Sequence, residues 1–382
     1  MSTGASVVVV GAGIIGCSVA YHLAARGVRS IIVLERERIG RGSTADAAGG
    51  IRLQFSNEVN IRLVQRSLDT WEHFQEVFGV DIGLRQQGYL FLLSSPAEVE
   101  EFRESLALQQ RLGVPARWVT PDEILELNPA LRVDDLLGGT FCPRDGWADP
   151  YSSAMGFARA ARQLGVDIRE ATPAARLIMD GDTVRGVATD RETIEAEHVV
   201  LCAGVHSPAL AATARLNMPI LPYRRMTFVT APFDAVPATI PMTVEFGTSL
   251  YVHPEGRGFL FGMANPNEPS SFTKTVDDGW MLTTLEALCR RAPVFERAEV
   301  LRGWAGLYEV TPDDNPLLGF VNDVGGLLVA AGFSGHGYMQ APAVGECIAD
   351  LIINGQPRTI DISSFAPSRF QRGELHYERN VI

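Results

Sequence analysis

Between Val7 and Glu35 the chain joins a continuous β-branched run (Val7 to Val10) to three glycines spaced as Gly11-x-Gly13-x-x-Gly16. An Ala- and Leu-rich stretch at helical spacing runs from Ile14 to Arg26 and is closed by Gly27; a second apolar run, Ile31 to Leu34, ends in Glu35. An uninterrupted apolar run reads as a strand buried on both faces. Strand, glycine turn, helix and strand in this order make a βαβ unit, so the fold class is α/β around a parallel sheet. The spacing has a physical reason. Gly11 permits the tight turn, Gly13 lets the main chain approach a pyrophosphate, and Gly16 lets the helix lie close to the sheet. The helix then offers Ile14, Ile15 and their neighbours as free N–H groups at the positive end of its dipole. Glu35 is placed to accept from a ribose. The alternative is a βαβ unit with an empty turn.

The rest of the chain divides by character. A small-residue loop (Ala45 to Gly50) precedes an amphipathic helix predicted over 57–78. Strand Tyr89 to Leu93, helix 96–112 and helix 151–164 follow, then alternating strands over 174–203. From Pro219 prolines and short strands dominate, with a helix at 280–290. Leu327 to Ala331 is again a buried strand, followed by Gly332, Gly335 and Gly337 and a helix at 341–353. The polar tail after Gly355 reads as peripheral. The length of 382 residues favours two domains. Two further small-residue strand ends, Cys202-Ala203-Gly204 and Ala331-Gly332, would flank the ligand of the first turn. Of the two dinucleotides, NAD and FAD, a ligand long enough to touch all of them favours FAD, whose flavin extends away from the adenosine end. Arg36 and the Arg41-Gly42-Ser43-Thr44 segment would meet its ribose and pyrophosphate.

Charge narrows the partners. With 45 acidic and 33 basic residues the net charge is −12, against a nucleic-acid or anionic-membrane surface. Lys274 is the sole lysine, which leaves little lysine-dependent chemistry. The five cysteines form no CxxC pair, so no metal site or disulfide framework is indicated. No basic leader and no apolar run long enough to span a membrane is seen, and a cytoplasmic location is expected.

Several longer stretches carry a resemblance: GAGIIG with Glu35-Arg36, GSTADAAGGIR (42–52), DGWADP (145–150), VVLCAGVHSP (199–208), LPYRR (221–225), GLYEVTPDDNPLLG (306–319) and AAGFSGHGYMQAPAVGE (330–346). Together they resemble the D-amino-acid oxidase / sarcosine oxidase family of FAD-dependent oxidoreductases, in the branch of the sarcosine oxidase and proline dehydrogenase β-subunits. The resemblance implies a discontinuous Rossmann-like FAD-binding domain (1–85, 141–218, 303–365), an α+β substrate domain on a mixed or antiparallel sheet (86–140, 219–302), and a C-terminal tail (366–382). The flavin would lie against Ala48-Gly49-Gly50 and the segment from Gly332 through Gly335, His336, Gly337, Tyr338 and Met339. Ala174 would contact the adenine, and Ala203 and Gly204 would touch the same cofactor.

The implied chemistry is hydride removal from a carbon bearing an amine, giving an imine that water hydrolyses. His336, Arg52 and Tyr251 are the implied catalytic group, with Arg224 a weaker substrate contact beside Arg225; His253 reads as a surface-loop residue. Monomeric sarcosine oxidases of this family tether flavin through a cysteine where this chain has Gly306, so the FAD is expected to be non-covalent. They place an oxygen-activating lysine where Leu260 stands, and hold the substrate carboxylate at positions occupied here by Phe55 and Met339. These exchanges make the pocket more apolar and suit a bulkier or cyclic amine. The electron acceptor is oxygen or a partner redox protein, and the relatives this chain resembles often work as one subunit of a larger complex. Two other readings stand beside this one: an FAD-dependent 2-hydroxy-acid dehydrogenase, with His336 as base, and a non-catalytic FAD-binding assembly factor.

Overall fold

The structure, a computed structural model, describes residues 3–382. Strands Leu327–Ala331, Thr193–Leu201, Thr3–Val10, Ile31–Leu34 and Asp167–Arg169 lie side by side in that order and all run parallel. Leu317–Phe320 closes one edge antiparallel, and the hairpin Ala174–Asp180/Thr183–Thr189 pairs onto Thr193–Leu201. The β-branched run explains why the sheet is covered on both sides. Val7 and Val9 pack into one core with the helices Ile14–Ala25 and Gly337–Asn354, while Val8 and Val10 pack into a second core with Leu177, Val184 and Leu210. Each such side chain contributes about 2 kcal/mol by leaving water.

The helices Ile14–Ala25 and Gly337–Asn354 cross at Gly345, where an added Cβ would lie 2.3 Å from Ser18 Oγ. Ser18 Oγ also donates to the Ala341 carbonyl at 2.7 Å. The two ends of the sequence are thereby locked on one side of the sheet. The helix predicted over 57–78 is two, Glu58–Glu72 and Phe74–Phe78, interrupted at His73.

A second sheet runs in the order Val300–Val310, Leu221–Thr230, Gly258–Gly262, Leu250–Glu255, Met242–Glu245, Tyr89–Leu93, Gly138–Cys142, Arg117–Val119. Its pairs are antiparallel except for Met242–Glu245 against Tyr89–Leu93. The sheet is mixed, as expected. Strand Val300–Val310 crosses the expected boundary at 302/303 and stays in this sheet along its length.

The tail is not peripheral. Arg369 is fully buried and pairs with the buried Asp313 at 2.8 Å, and Glu378 and Asn380 are buried as well. Polar residues disguised a segment whose partners lie far back in the chain. His253, read as a surface-loop residue, is buried on strand Leu250–Glu255 against the Trp147 ring, 4.7 Å between centroids. No helix among the described residues is long and apolar enough to cross a membrane.

Candidate active site

A cavity of about 940 Å³ runs from the carboxyl ends of the parallel strands to the second sheet. Gly11, at φ +104°, opens its far end: an added Cβ would sit 2.4 Å from the Cys202 carbonyl oxygen. Helix Ile14–Ala25 begins without a side-chain cap from Gly13; apart from Ile14 N, its first-turn N–H groups are left for a ligand. A Cβ at Gly13 would fill the cradle, 3.1 Å from Thr44 Oγ1, which itself accepts from Ile14 N at 3.0 Å. Glu35 accepts from Ala12 N and Glu37 N, both at 2.8 Å, which fixes the carboxylate at the cavity wall. Arg36 donates toward His206 at 2.9 Å, and His206 stacks on Phe272. A small-residue cradle, an uncapped helix end and a fixed acid fit a dinucleotide.

Most of the expected cofactor residues line this cavity. Ile14, Ile15, Gly42, Ser43 and Thr44 belong to its nucleotide half, with Ala174, Ala203 and Gly204 opposite. Ala48, Gly49, Gly50 and Gly306 line the other half, and so do Gly335, His336, Gly337, Tyr338 and Met339. Two positions stand behind the wall. Gly16 packs on the turn, where a Cβ would be 1.9 Å from Gly11 O, and Gly332 donates its N–H to Glu309 at 2.9 Å.

At the second sheet, His336, Arg52 and Tyr251 do converge on the cavity. His336 is buried; its Nε2 meets the Asp314 carbonyl at 2.9 Å, so Nε2 carries the proton and Nδ1 is left as a buried acceptor without a partner. Burial, helped by the Arg52 charge and opposed by the Asp314 carbonyl, pushes His336 down to about 4. Tyr251 Oη lies 3.0 Å from Thr227 Oγ1, and burial pushes its hydroxyl well up. Arg52 donates to the carbonyls of Gln54 (2.7 Å) and Asn380 (2.6 Å).

Three expected substrate contacts are corrected. Phe55 is fully buried behind the wall, with the Arg52 guanidinium 4.0 Å over its ring and His336 edge-on at 5.2 Å. Arg224 points away and makes a forked pair with Glu268 at 2.9 and 3.2 Å. Strand alternation sends its neighbour Arg225 to the cavity instead. Leu260 lines a separate cavity of about 630 Å³, beyond the Ala47-Ala48 segment.

Sequence reasoning missed several wall residues. Tyr89 and Tyr308 are seated on glycines: a Cβ at Gly50 would strike Tyr89 Oη at 2.2 Å, and one at Gly335 the Tyr308 ring at 2.2 Å. Those glycines make room for aromatic neighbours, a signal that a ligand-loop reading conceals. Glu309, half-buried beside Gly204 on the cavity wall, is pushed up to about 7 by loss of water around it, against the pull of the Gly332 and Phe333 N–H groups. Val381 and Ile382 line the cavity too, though nothing local in the sequence marks them.

The FAD dependent oxidoreductase family pattern matches residues 6–351. The chain is 33% identical to the L-proline dehydrogenase structure from P. horikoshii, with a TM-score of 0.92, covering 98% of this chain and 100% of that one. Glycine oxidase from Geobacillus kaustophilus gives 26% identity and a TM-score of 0.86, covering 96% and 99%. Among relatives by sequence, sarcosine oxidase subunit beta of Arthrobacter sp is 29% identical over 97% of this chain and 92% of its own length. Dimethylglycine dehydrogenase of Rattus norvegicus is also 29% identical, over 96% of this chain but 45% of its own. The chain thus spans less than half the length of that relative. Cradle, cavity and family pattern agree: the chain belongs to the family of FAD-dependent oxidoreductases.

Proposed function

We propose that the chain oxidises the C–N bond of an amine or amino acid, a sarcosine- or proline-like secondary amine or a bulkier analogue. One observation carries the reading: a single cavity joins the Gly11–Gly13 cradle to His336, Tyr251 and Arg225. Bound FAD supplies the hydride acceptor, and water hydrolyses the resulting imine. Gly306 offers no side chain for a covalent tether, so the FAD is held non-covalently. The segments of the first sheet hold FAD, and those of the second face the substrate.

The chain's own groups do the rest. A buried cavity disfavours an ammonium ion, so an amine entering it sheds its proton to solvent and arrives neutral, the form from which hydride leaves. His336, its ring held by the Asp314 carbonyl, forms the cavity wall beside the amine. Met242 and Met263 supply an apolar wall that excludes water. Electrons leave to oxygen or to a partner redox protein. The likeness to a chain named as a subunit supports a partner.

The test is anaerobic titration of the FAD-loaded protein with secondary and tertiary amines and, separately, 2-hydroxy acids, following loss of the flavin absorption. Bleaching by amines alone is expected. Bleaching only by hydroxy acids, or by none, rejects the reading.

A further inference from the structure

Four carboxylates line the main cavity: Glu35, Glu37, Asp46 and Glu309. The first three have an evident task. Glu35 is fixed by Ala12 N and Glu37 N at the place where a βαβ unit meets a ribose. Glu37 pairs with Arg36 at 3.3 Å, and Asp46 with Lys274 at 2.5 Å. Glu309 has no such task. Among the described residues no cation and no side-chain donor reaches its carboxylate.

Main-chain groups alone hold it in place. Oε2 accepts from Gly332 N at 2.9 Å, and the Phe333 N–H pulls on the same carboxylate. Ser334 N donates to the Glu309 carbonyl at 3.0 Å, so the residue is tied at both ends to the segment that leads into His336. On its other flank, a Cβ at Gly204 would lie 3.3 Å from Oε2, so the turn after strand Thr193–Leu201 comes up to the carboxylate with no side chain between them. That turn begins at Cys202, whose carbonyl faces Gly11 in the cradle, while Tyr308, beside Glu309 in the strand, seats Gly335. Glu309 therefore stands on the wall between the Gly11–Gly13 cradle and His336, and Glu35 stands on the cradle's other side.

An acidic group in an enclosed site without a cation is costly unless O–H or N–H donors meet it. A dinucleotide with its pyrophosphate at the cradle brings donors to both places. FAD carries the ribose hydroxyls toward its adenine and the polyhydroxylated ribityl chain toward its flavin. The chemistry that gives the ribose to Glu35 gives the ribityl chain to Glu309.

We infer that Glu309 is the polyol subsite of the cofactor cavity: its carboxylate, steadied by the Gly332 and Phe333 N–H groups, accepts from hydroxyls of the ribityl chain of FAD. The inference concerns the cofactor and stands whichever bond of the substrate is oxidised.

The experiment measures FAD binding to the full-length, FAD-free chain by flavin fluorescence, and ADP binding by calorimetry. ADP meets the cradle and the ribose site but has no ribityl chain. Glu309→Ala is expected to weaken FAD about tenfold or more and to leave ADP unchanged, whereas Glu35→Ala weakens both. A set of FAD analogues, each lacking one ribityl hydroxyl, separates contact from bracing. The native chain should bind at least one of them about threefold or more less tightly than FAD, and that penalty should vanish in Glu309→Ala, where the acceptor is already gone. Should Glu309→Ala fail to fold, Glu309→Gln, which still accepts from Gly332 N, carries the same cycle. It is expected to weaken FAD about threefold or more and to shrink the hydroxyl penalty. ADP weakened as much as FAD, FAD affinity unchanged in the variants, or a hydroxyl penalty of equal size in native and variant chains overturns the subsite.

Discussion

Glu309 shows what a single half-buried group on the cavity wall does to this fold. Its carboxyl is pushed up to about 7, from an ordinary value of 4.5, chiefly by burial. Below pH 4.5 folded and unfolded chains both carry the proton; as pH rises from there to about 7 only the unfolded chain releases it, so stability falls across that window. Glu309→Gln still accepts the Gly332 N–H yet cannot ionise. Thermal unfolding of the FAD-free protein should show the variant gaining on the native chain between those pH values, by up to about 3 kcal/mol. A constant difference across the window would reject the assignment. His336, pushed down to about 4, has the opposite sign: its contribution is full above pH 6.5 and is lost as pH falls toward 4. Single residues were the least legible scale. The glycines at 11, 13 and 16 could be read because they form a local pattern between a strand and a helix, although Gly11 and Gly13 meet the distant Cys202 and Thr44. Arg52, Phe55 and Leu260 could not, because their roles depend on partners such as Asn380 and on which side of the Ala47-Ala48 segment a side chain falls.

Elements were readable where burial is continuous. Ile31–Leu34, Tyr89–Leu93 and Leu327–Ala331 begin and end where their apolar runs do, because both faces of each strand are covered. The last long helix starts at Gly337, ahead of the expected 341, since Pro342 and the glycines mask its first turn. The segment from His376 to Ile382 escaped for a different reason: its ties are polar and distant. Glu378 accepts from Ser56 N and Oγ (2.8 Å each), Asn57 N (3.1 Å) and Asn60 Nδ2 (2.9 Å) at the start of helix Glu58–Glu72. That clasp holds Val381 and Ile382 against the cavity. Glu378→Ala would leave buried donors unpaired and cost about 2 kcal/mol, measured by denaturant unfolding. With the wall loosened, benzoate should gain affinity relative to the smaller 2-furoate. Unchanged discrimination between the two acids would mean that the segment only braces the fold.

At the scale of the molecule, the alternation of segments between two sheets was legible from the resemblance, but the ties across the cavity were not. One loop of the second sheet, between strand Gly258–Gly262 and helix Asp278–Arg291, reaches back over the nucleotide half. Phe272 stacks on His206 at 5.2 Å, and Lys274 pairs with Asp46 of helix Ser43–Asp46 at 2.5 Å. The sole lysine of a chain with net charge −12 therefore joins the two halves at the cavity wall. The pair is partly exposed, with 44% of the lysine side chain accessible, so its effect on global stability is small, about 0–1 kcal/mol. Its effect on cofactor release is expected to be larger, because Phe272 and Lys274 of this loop form part of the cavity wall. Lys274→Met should leave the unfolding of the FAD-free protein nearly unchanged and speed FAD release severalfold, followed by recovery of flavin fluorescence. Added salt should quicken release from the native protein and have little effect on the variant, since screening acts on the ion pair that the substitution has already removed. Equal salt sensitivity in both proteins would place the barrier to release elsewhere in the cavity wall.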